Sequence, residues 1–400
     1  MPAVSYDAIV LGAGAAGLMC AAVAGQRGRR VLLVDHADEA GKKIVISGGG
    51  RCNFTNVHTA PDRYLSANPH FAKSALGRYT AADFLALVER HGIRWHEKTL
   101  GQLFCDGSAR QIVAMLLGEC EIGRVELALS SSIGEVGHDG GEFTVALPTR
   151  TATAPRLVIA TGGPSIPQMG ASGYAYDLAR QFGLKVVEPR PALVPLTLGG
   201  EEALFRTLSG VAANVVASTG EAEGRSAGRA RFREAALFTH RGLSGPAILQ
   251  VSSYWRAREP IAIDFMPDVA PDWLLRAKRA QPRTTLRRTL AATLPDRLAE
   301  ALSDRLGIAT ELANTPDRTL AEAARQLSAW RFTPNGSEGY AKAEVTAGGI
   351  STDDLSSRTL EARRVPGLHA IGEAVDVTGW LGGYNFQWAW ASGWAAAQAL

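Results

Sequence analysis

The chain has 400 residues, 46% of them hydrophobic and 20% charged. It is too long for one ordinary core and too apolar for general disorder, so two or three packed domains are expected. The formal net charge of +3 excludes an overall polyanion or polycation, and 43 glycines, about 11% against a usual ~7%, point to turns or to ligand contact.

No apolar run approaches the ~18 residues of a membrane span, and the N-terminal MPAVSYD lacks the basic and apolar regions of a secretory signal. A cytoplasmic protein without membrane contact is expected. The four cysteines, Cys20, Cys52, Cys105 and Cys120, are far apart and form no C-x-x-C pair. That pattern speaks against a disulfide framework, a zinc ribbon and a dithiol redox centre, and no metal site is expected.

Residues 7–11 (DAIVL) read as a buried strand, 15–27 as a helix of small residues and 31–35 (VLLVD) as a second strand. This is the strand–turn–helix–strand unit of a parallel sheet. Its turn carries Gly12-Ala13-Gly14-Ala15-Ala16-Gly17. The first glycine makes the turn, the second lets a pyrophosphate reach the backbone, and the third lets helix and strand pack closely. The helix N-terminus, including the N–H groups of Ala15 and Ala16, then faces the phosphates. Asp35 ends the second strand, where a carboxylate accepts from ribose hydroxyls.

Residues 41–56, GKKIVISGGGRCNFTN, follow. Gly48, Gly49 and Gly50 expose backbone amides, and Lys43, Ser47, Arg51 and Asn53 surround them with donors, a nest suited to more of an anionic cofactor. Segments 80–91 and 109–120 read as amphipathic helices, and 124–161 as a short β-meander ending in a strand and Thr161-Gly162-Gly163. After Pro189, Pro191 and Pro195 the texture becomes strand-like to about residue 268, then helical and rich in Ala, Leu and Arg to 334. From 335 the glycine-rich texture returns, with a strand at 368–371, Gly372-Glu373 at its end, and Gly382-Gly383-Tyr384-Asn385-Phe386 opening a last helix. Glu373 suits a sugar or ribityl hydroxyl. The last helix N-terminus suits negative charge on a reduced flavin.

These stretches, together with PALVPL (191–196), LFTHRGLSGPAIL (237–249) and AEVTAGGISTDDLSSRTLEARRVPGLHAIGE (343–373), resemble the BaiN/RdsA-like NAD(P)/FAD-dependent oxidoreductases of bacteria along nearly the whole chain. The resemblance implies bound FAD and an α/β fold. A Rossmann-like FAD-binding domain of the two-dinucleotide-domain flavoprotein type (1–190 and 335–400) would carry a β-barrel-like insert (191–268) and a helical basic insert (269–334). The chain departs from the family at Gly101-Gln102-Leu103-Phe104-Cys105, where GRVFP is usual, and at Asp35, where Glu is usual.

Flavin chemistry on a polarised double bond needs a proton donor. Three residues are candidates: Cys52, whose thiol a neighbouring Arg51 would acidify; His240, in FTHRGLSG of the insert; and Tyr384. Cys20 and the tryptophans Trp388, Trp390 and Trp394 read as packing. A single dinucleotide fingerprint implies that NAD(P)H, if it reduces the flavin, docks only transiently. The leading reading is an NAD(P)H-linked, FAD-dependent reductase of an unsaturated small molecule. The alternatives are a FAD-dependent reductase of uridine in ribosomal RNA, a small-amine oxidase, and a non-catalytic FAD- or RNA-binding module. An RNA partner has a compositional basis. Residues 190–334 hold 20 Lys and Arg against 15 Asp and Glu. Arg276, Lys278, Arg279, Arg283, Arg287 and Arg288 lie within one acid-free stretch, and Arg225, Arg229, Arg231 and Arg233 within another short one.

Overall fold

A computed structural model describes residues 3–219 and 230–400. Arg225 and Arg229 lie outside the described residues. The chain divides into two compact units, Met1–Arg190 with Glu344–Leu400, and Pro191–Ala343.

The first unit is built on five parallel strands. In chain order these are β1 (Ala8–Leu11), β2 (Val31–Val34), β3 (Glu126–Ala128), β4 (Leu157–Ile159) and β5 (Leu368–Ala370), and in space they run β5-β4-β1-β2-β3. Register pairs Ile9 with Leu157 and with Leu32, and Leu157 with Leu368. Every residue of β1, β2 and β4 is buried, so these strands are continuous apolar runs rather than alternating ones, as a sheet covered on both faces requires. The covering helix α1 (Ala15–Gln26) packs against α2 (Arg110–Ile122) and α3 (Tyr384–Ala397). Its small residues make this possible: a side chain at Gly25 would begin 2.5 Å from Gly123 O, and one at Gly393 of α3 would begin 2.6 Å from Ala16 O.

The smaller sheets of this unit include a four-stranded and a three-stranded one. One joins Ala3–Ser5, Thr151–Ala154, Glu142–Ala146 and Val136–Asp139, the expected meander with the chain's first strand added parallel to it. The other joins Asn53–Asn56, Gln102–Cys105 and Trp95–Glu97 antiparallel.

The second unit holds a seven-stranded antiparallel sheet in the order Trp330–Phe332, Ile261–Asp264, Ala212–Thr219, Arg231–Phe238, Gly242–Ser244, Leu196–Thr197, Gly336–Ser337. The helices Trp273–Ala280, Leu286–Ala291, Asp296–Leu306 and Asp317–Leu327 intervene before the strand Trp330–Phe332 returns to that sheet. In the last helix Leu320, Ala323, Ala324 and Leu327 are buried, the spacing of one helical face. The boundary expected at residue 335 falls at 343, because Gly336–Ser337 pairs with Leu196–Thr197. Among the described residues no helix is long and apolar enough to cross a membrane.

Candidate functional site

The three glycines after β1 have three different surroundings. Gly12 has φ +106°, and a side chain on it would begin 2.6 Å from Ala160 O. A side chain on Gly17 would run into Gly12 O, so α1 and the turn touch there. Gly14 has nothing within 4 Å. It caps α1 without a side-chain bond, leaving the first N–H groups of the helix facing open space. Asp35 stands beside this loop, accepting from Ala13 N at 2.6 Å and Ala37 N at 2.8 Å. Further lone pairs of its carboxylate remain for hydroxyls. An open groove of about 520 Å³ continues from here, lined by residues that include His36, Lys42, Ser130 and Met169.

The second glycine run forms a nest. Lys42–Ile46 is a short helix, and Gly48, Gly49 and Gly50 follow at φ +57°, +67° and +85°. Three successive left-handed residues turn consecutive amides to one side. Gly48 packs on Asn53 N and Phe104, whereas Gly49 and Gly50 have nothing within 4 Å. Ser47 Oγ donates to Ile44 O at 2.7 Å, Arg51 is exposed, and Asn53 begins the small antiparallel sheet.

Cys52 departs from expectation. It is fully buried, and burial pushes its thiol up to about 12, opposite to the acidification expected from Arg51. A sealed, protonated thiol packs beneath the nest and presents nothing to a ligand. All four cysteines are free and buried.

Lys43 and Glu373, 330 residues apart, form an ion pair at 2.8 Å. Ser165 Oγ accepts from Lys43 Nζ at 2.7 Å and donates to Glu373 Oε1 at 2.7 Å, and Thr346 N donates to the same oxygen at 2.9 Å. Thus Glu373, expected to hold a hydroxyl, is first held itself. Gly162 lies against it, with only Glu373 Oε2 near its missing side chain at 4.0 Å. A side chain on Gly163 would begin 2.7 Å from Thr346 Oγ1 and Tyr176 OH. Around this cluster Thr161 Oγ1 and Thr346 Oγ1 are buried without a hydrogen-bond partner. Buried hydroxyls left so are what a polar ligand satisfies.

The fourth stretch closes the cradle. Gly372 is fixed to α3, its N–H donating to Ser392 Oγ at 3.0 Å and its carbonyl accepting from Trp388 Nε1 at 2.9 Å. A side chain on Gly383 would strike Thr55 O, so the turn before α3 sits tightly on the small sheet. Tyr384 is buried and meets Tyr64 edge-on at 6.2 Å, while Tyr64 OH donates to Tyr384 O at 3.0 Å. Asn385 and Phe386, expected at the cofactor, also make contacts within the fold. Asn385 clamps Gly379 from both sides, at 2.8 and 2.9 Å, and Phe386 stacks on Trp390 at 5.6 Å. Trp388 and Trp390 are core residues with bonded indoles. His240 is exposed in the second unit, in the turn closed by Thr239 and Gly242, with its carbonyl accepting from Arg206 Nε.

The first unit therefore brings together residues 12–17, 35, 43, 161–163 and 373 around β1, β2, β4 and β5, with the nest 47–50 and the turn 382–384 on adjoining elements. Sequence reasoning missed Ser165 and Thr346, which hold Glu373. Ser165 sits next to the recognised TGG string, but nothing in the string names partners 122 and 208 positions away. Among the described residues no group of three or more His, Cys, Asp or Glu is placed to hold a metal.

Three comparisons place the chain among known families and folds. The HI0933-like protein Rossmann domain matches residues 6–399. The chain is 53% identical to the ribosomal RNA dihydrouridine synthase of Escherichia coli (strain K12), over 99% of this chain and 98% of that protein. It is 28% identical to the 3-dehydro-bile acid delta(4,6)-reductase of Clostridium scindens, over 98% of each. Among solved structures, a quinol-fumarate reductase with menaquinol molecules superposes with TM-score 0.50 at 14% identity, covering 100% of this chain and 71% of that one, which is a likeness of fold.

Proposed function

The chain belongs to the HI0933-like Rossmann-domain family, and on that premise we propose that it is a FAD-dependent reductase that converts uridine in ribosomal RNA to dihydrouridine. The observation that carries this reading is the 53% identity along 99% of the chain with a protein of that activity. It reverses the order of the two sequence-based readings, in which an unsaturated small molecule came first. The bile-acid relative at 28% identity keeps that second reading in view.

The residues fit a dinucleotide. The open Gly14 and the α1 N-terminus would take the pyrophosphate, and Asp35 a ribose. The nest 48–50, Thr161 to Gly163, and the Lys43–Glu373 pair would take the remainder. When bound, FAD supplies hydride, with NADH or NADPH as its proposed source. The uracil C5=C6 bond is conjugated with the C4 carbonyl, so C6 accepts hydride and C5 then needs a proton. Of the three candidates Cys52 is sealed at 0% exposure, and Tyr384, the first residue of α3, is the proposed donor. A Tyr384→Phe variant should keep its flavin and lose roughly 10²-fold or more in turnover. Unchanged turnover would remove Tyr384 from that role.

The activity itself is tested in cells. Ribosomal RNA from a strain lacking the gene should contain less dihydrouridine by mass spectrometry, and a plasmid copy should restore it. Unaltered dihydrouridine in the deletion strain would overturn the reading. Anaerobic bleaching of the purified protein by NADH and by NADPH identifies the donor.

A further inference from the structure

The loop between the strands Trp95–Glu97 and Gln102–Cys105 ends in an outward tip at Thr99–Gly101. Leu100 at that tip is 57% exposed and has φ +60°, a backbone state leucine rarely adopts. Beside it Val57 is 46% exposed, and Gly101 packs so closely that a side chain on it would begin 2.7 Å from Val57 Cγ2. Scattered exposed apolar residues are ordinary. This pair is different because it is rigidly mounted on the cradle. Asn56, 1% exposed, donates through Nδ2 to Leu100 O at 3.0 Å and to Gly382 O at 2.8 Å. One buried amide thus ties the tip to the glycine turn that opens α3. Gln102 fills the space between, 3.0 Å from where a side chain on Gly382 would begin. A left-handed leucine persists only where its surroundings enforce it, and Asn56 and Gly101 do so here.

Lys98, which leads into the tip, is exposed with its Nζ 5.4 Å from the Phe104 ring, and Glu97 is an exposed acid next to it in the chain. The tip therefore combines two exposed apolar side chains with the cation of Lys98 at its base.

We propose that Leu100 and Val57 form a wedge that enters the RNA base stack beside the target uridine and fills the place the base leaves. This rests on the reading of the chain as a uridine reductase. Chemistry on a uracil face requires the base to leave its stack, and rigid apolar side chains inserted at a base step are a physical means of holding it open. Lys98 would then meet a neighbouring phosphate.

The test uses the full-length, flavin-loaded protein with two RNAs: folded ribosomal RNA lacking dihydrouridine, and a short single-stranded uridine oligomer with little stacking to break. Leu100→Gly removes the wedge while glycine readily keeps the left-handed tip. The ratio of turnover on folded RNA to turnover on the oligomer should fall at least tenfold in Leu100→Gly, and Leu100→Phe should restore it. A ratio equal to that of the unaltered protein overturns the wedge while the uridine-reductase reading stands. If the unaltered protein makes no dihydrouridine in either RNA, the underlying reading falls, and the wedge with it.

Discussion

At the scale of single residues, the glycine loop separates folding from binding. Gly17 has no room, since its side chain would meet the carbonyl of Gly12, so Gly17→Ala must push α1 off its turn. Overpacking of this kind costs about 1–3 kcal/mol. Gly14 has nothing within 4 Å, and its φ of −80° suits alanine. Gly14→Ala should therefore keep the thermal midpoint of the flavin-free protein, or raise it slightly, yet weaken flavin binding at least tenfold. Melting curves and flavin fluorescence titration check the pair. Equal effects of the two substitutions on the midpoint would contradict this assignment. The cluster around Glu373 follows the same logic. Lys43→Ala takes away one of its three donors and leaves Ser165 and Thr346 N, so flavin should be retained more weakly, by about tenfold or ~1.4 kcal/mol. A Lys43→Ala protein with unchanged flavin affinity would make the pair purely structural.

At the scale of elements, what could be read from the sequence depended on how local its cause was. The unit β1–α1–β2 was legible because buried parallel strands are apolar throughout and the glycine fingerprint marks the turn between strand and helix. The strand 53–56 was not, since its pairing with Gln102–Cys105 is long-range and shifts register between Asn53 and Thr55. Asp35 and the nest were legible as chemistry. The holding of Glu373 was not, because its partners come from three other segments. Asn385 and Phe386 could be placed next to the glycine turn, but the clamp on Gly379 and the stacking on Trp390 could not be read from the string. One element also carries a pH dependence. His369 on β5 is fully buried, its Nδ1 3.0 Å from Thr359 O and its Nε2 without a partner. Burial, with Arg156 nearby, holds its pKa below the ordinary value against the pull of Thr359 and Glu361. The folded protein then takes up this proton at lower pH than the unfolded chain. Its contribution is complete above the unfolded value of ~6.5 and is lost as pH falls toward the folded one. Buried Asp376 has a raised value and acts in the opposite sense, losing stability as pH rises, so a variant must be compared with the unaltered protein. Denaturant midpoints of His369→Leu should fall less steeply between pH 7 and pH 5. A slope equal to that of the unaltered protein would show that His369 does not titrate in this window.

At the scale of the whole molecule, the +3 net charge conceals a basic second unit, and the structure sorts its cations. Arg276 is bonded to Asp272 at 2.8 Å, Lys278 to Asp317 at 2.8 Å and Arg287 to Glu300 at 2.8 Å. Arg233 is engaged by Asp268. Arg279, Arg283 and Arg288 are exposed and belong to none of these pairs. A surface ion pair contributes little to stability, but it leaves its cation partly neutralised and so less able to displace counterions from a phosphate backbone. If the second unit tracks RNA, the burden should fall on those three arginines. Each phosphate contact adds about 0.7–0.9 to the slope of log affinity against log salt, so replacing all three by serine should flatten the slope by roughly 2. Replacing Arg276, Lys278 and Arg287 removes the same formal charge yet should change it by less, since each also releases an acid. Binding of ribosomal RNA between low and moderate salt measures both. Equal slopes in the two triple variants would mean that the insert acts only through its net charge. A slope unmoved by either would leave RNA recognition to the first unit, where Lys98 stands exposed beside the Leu100 tip.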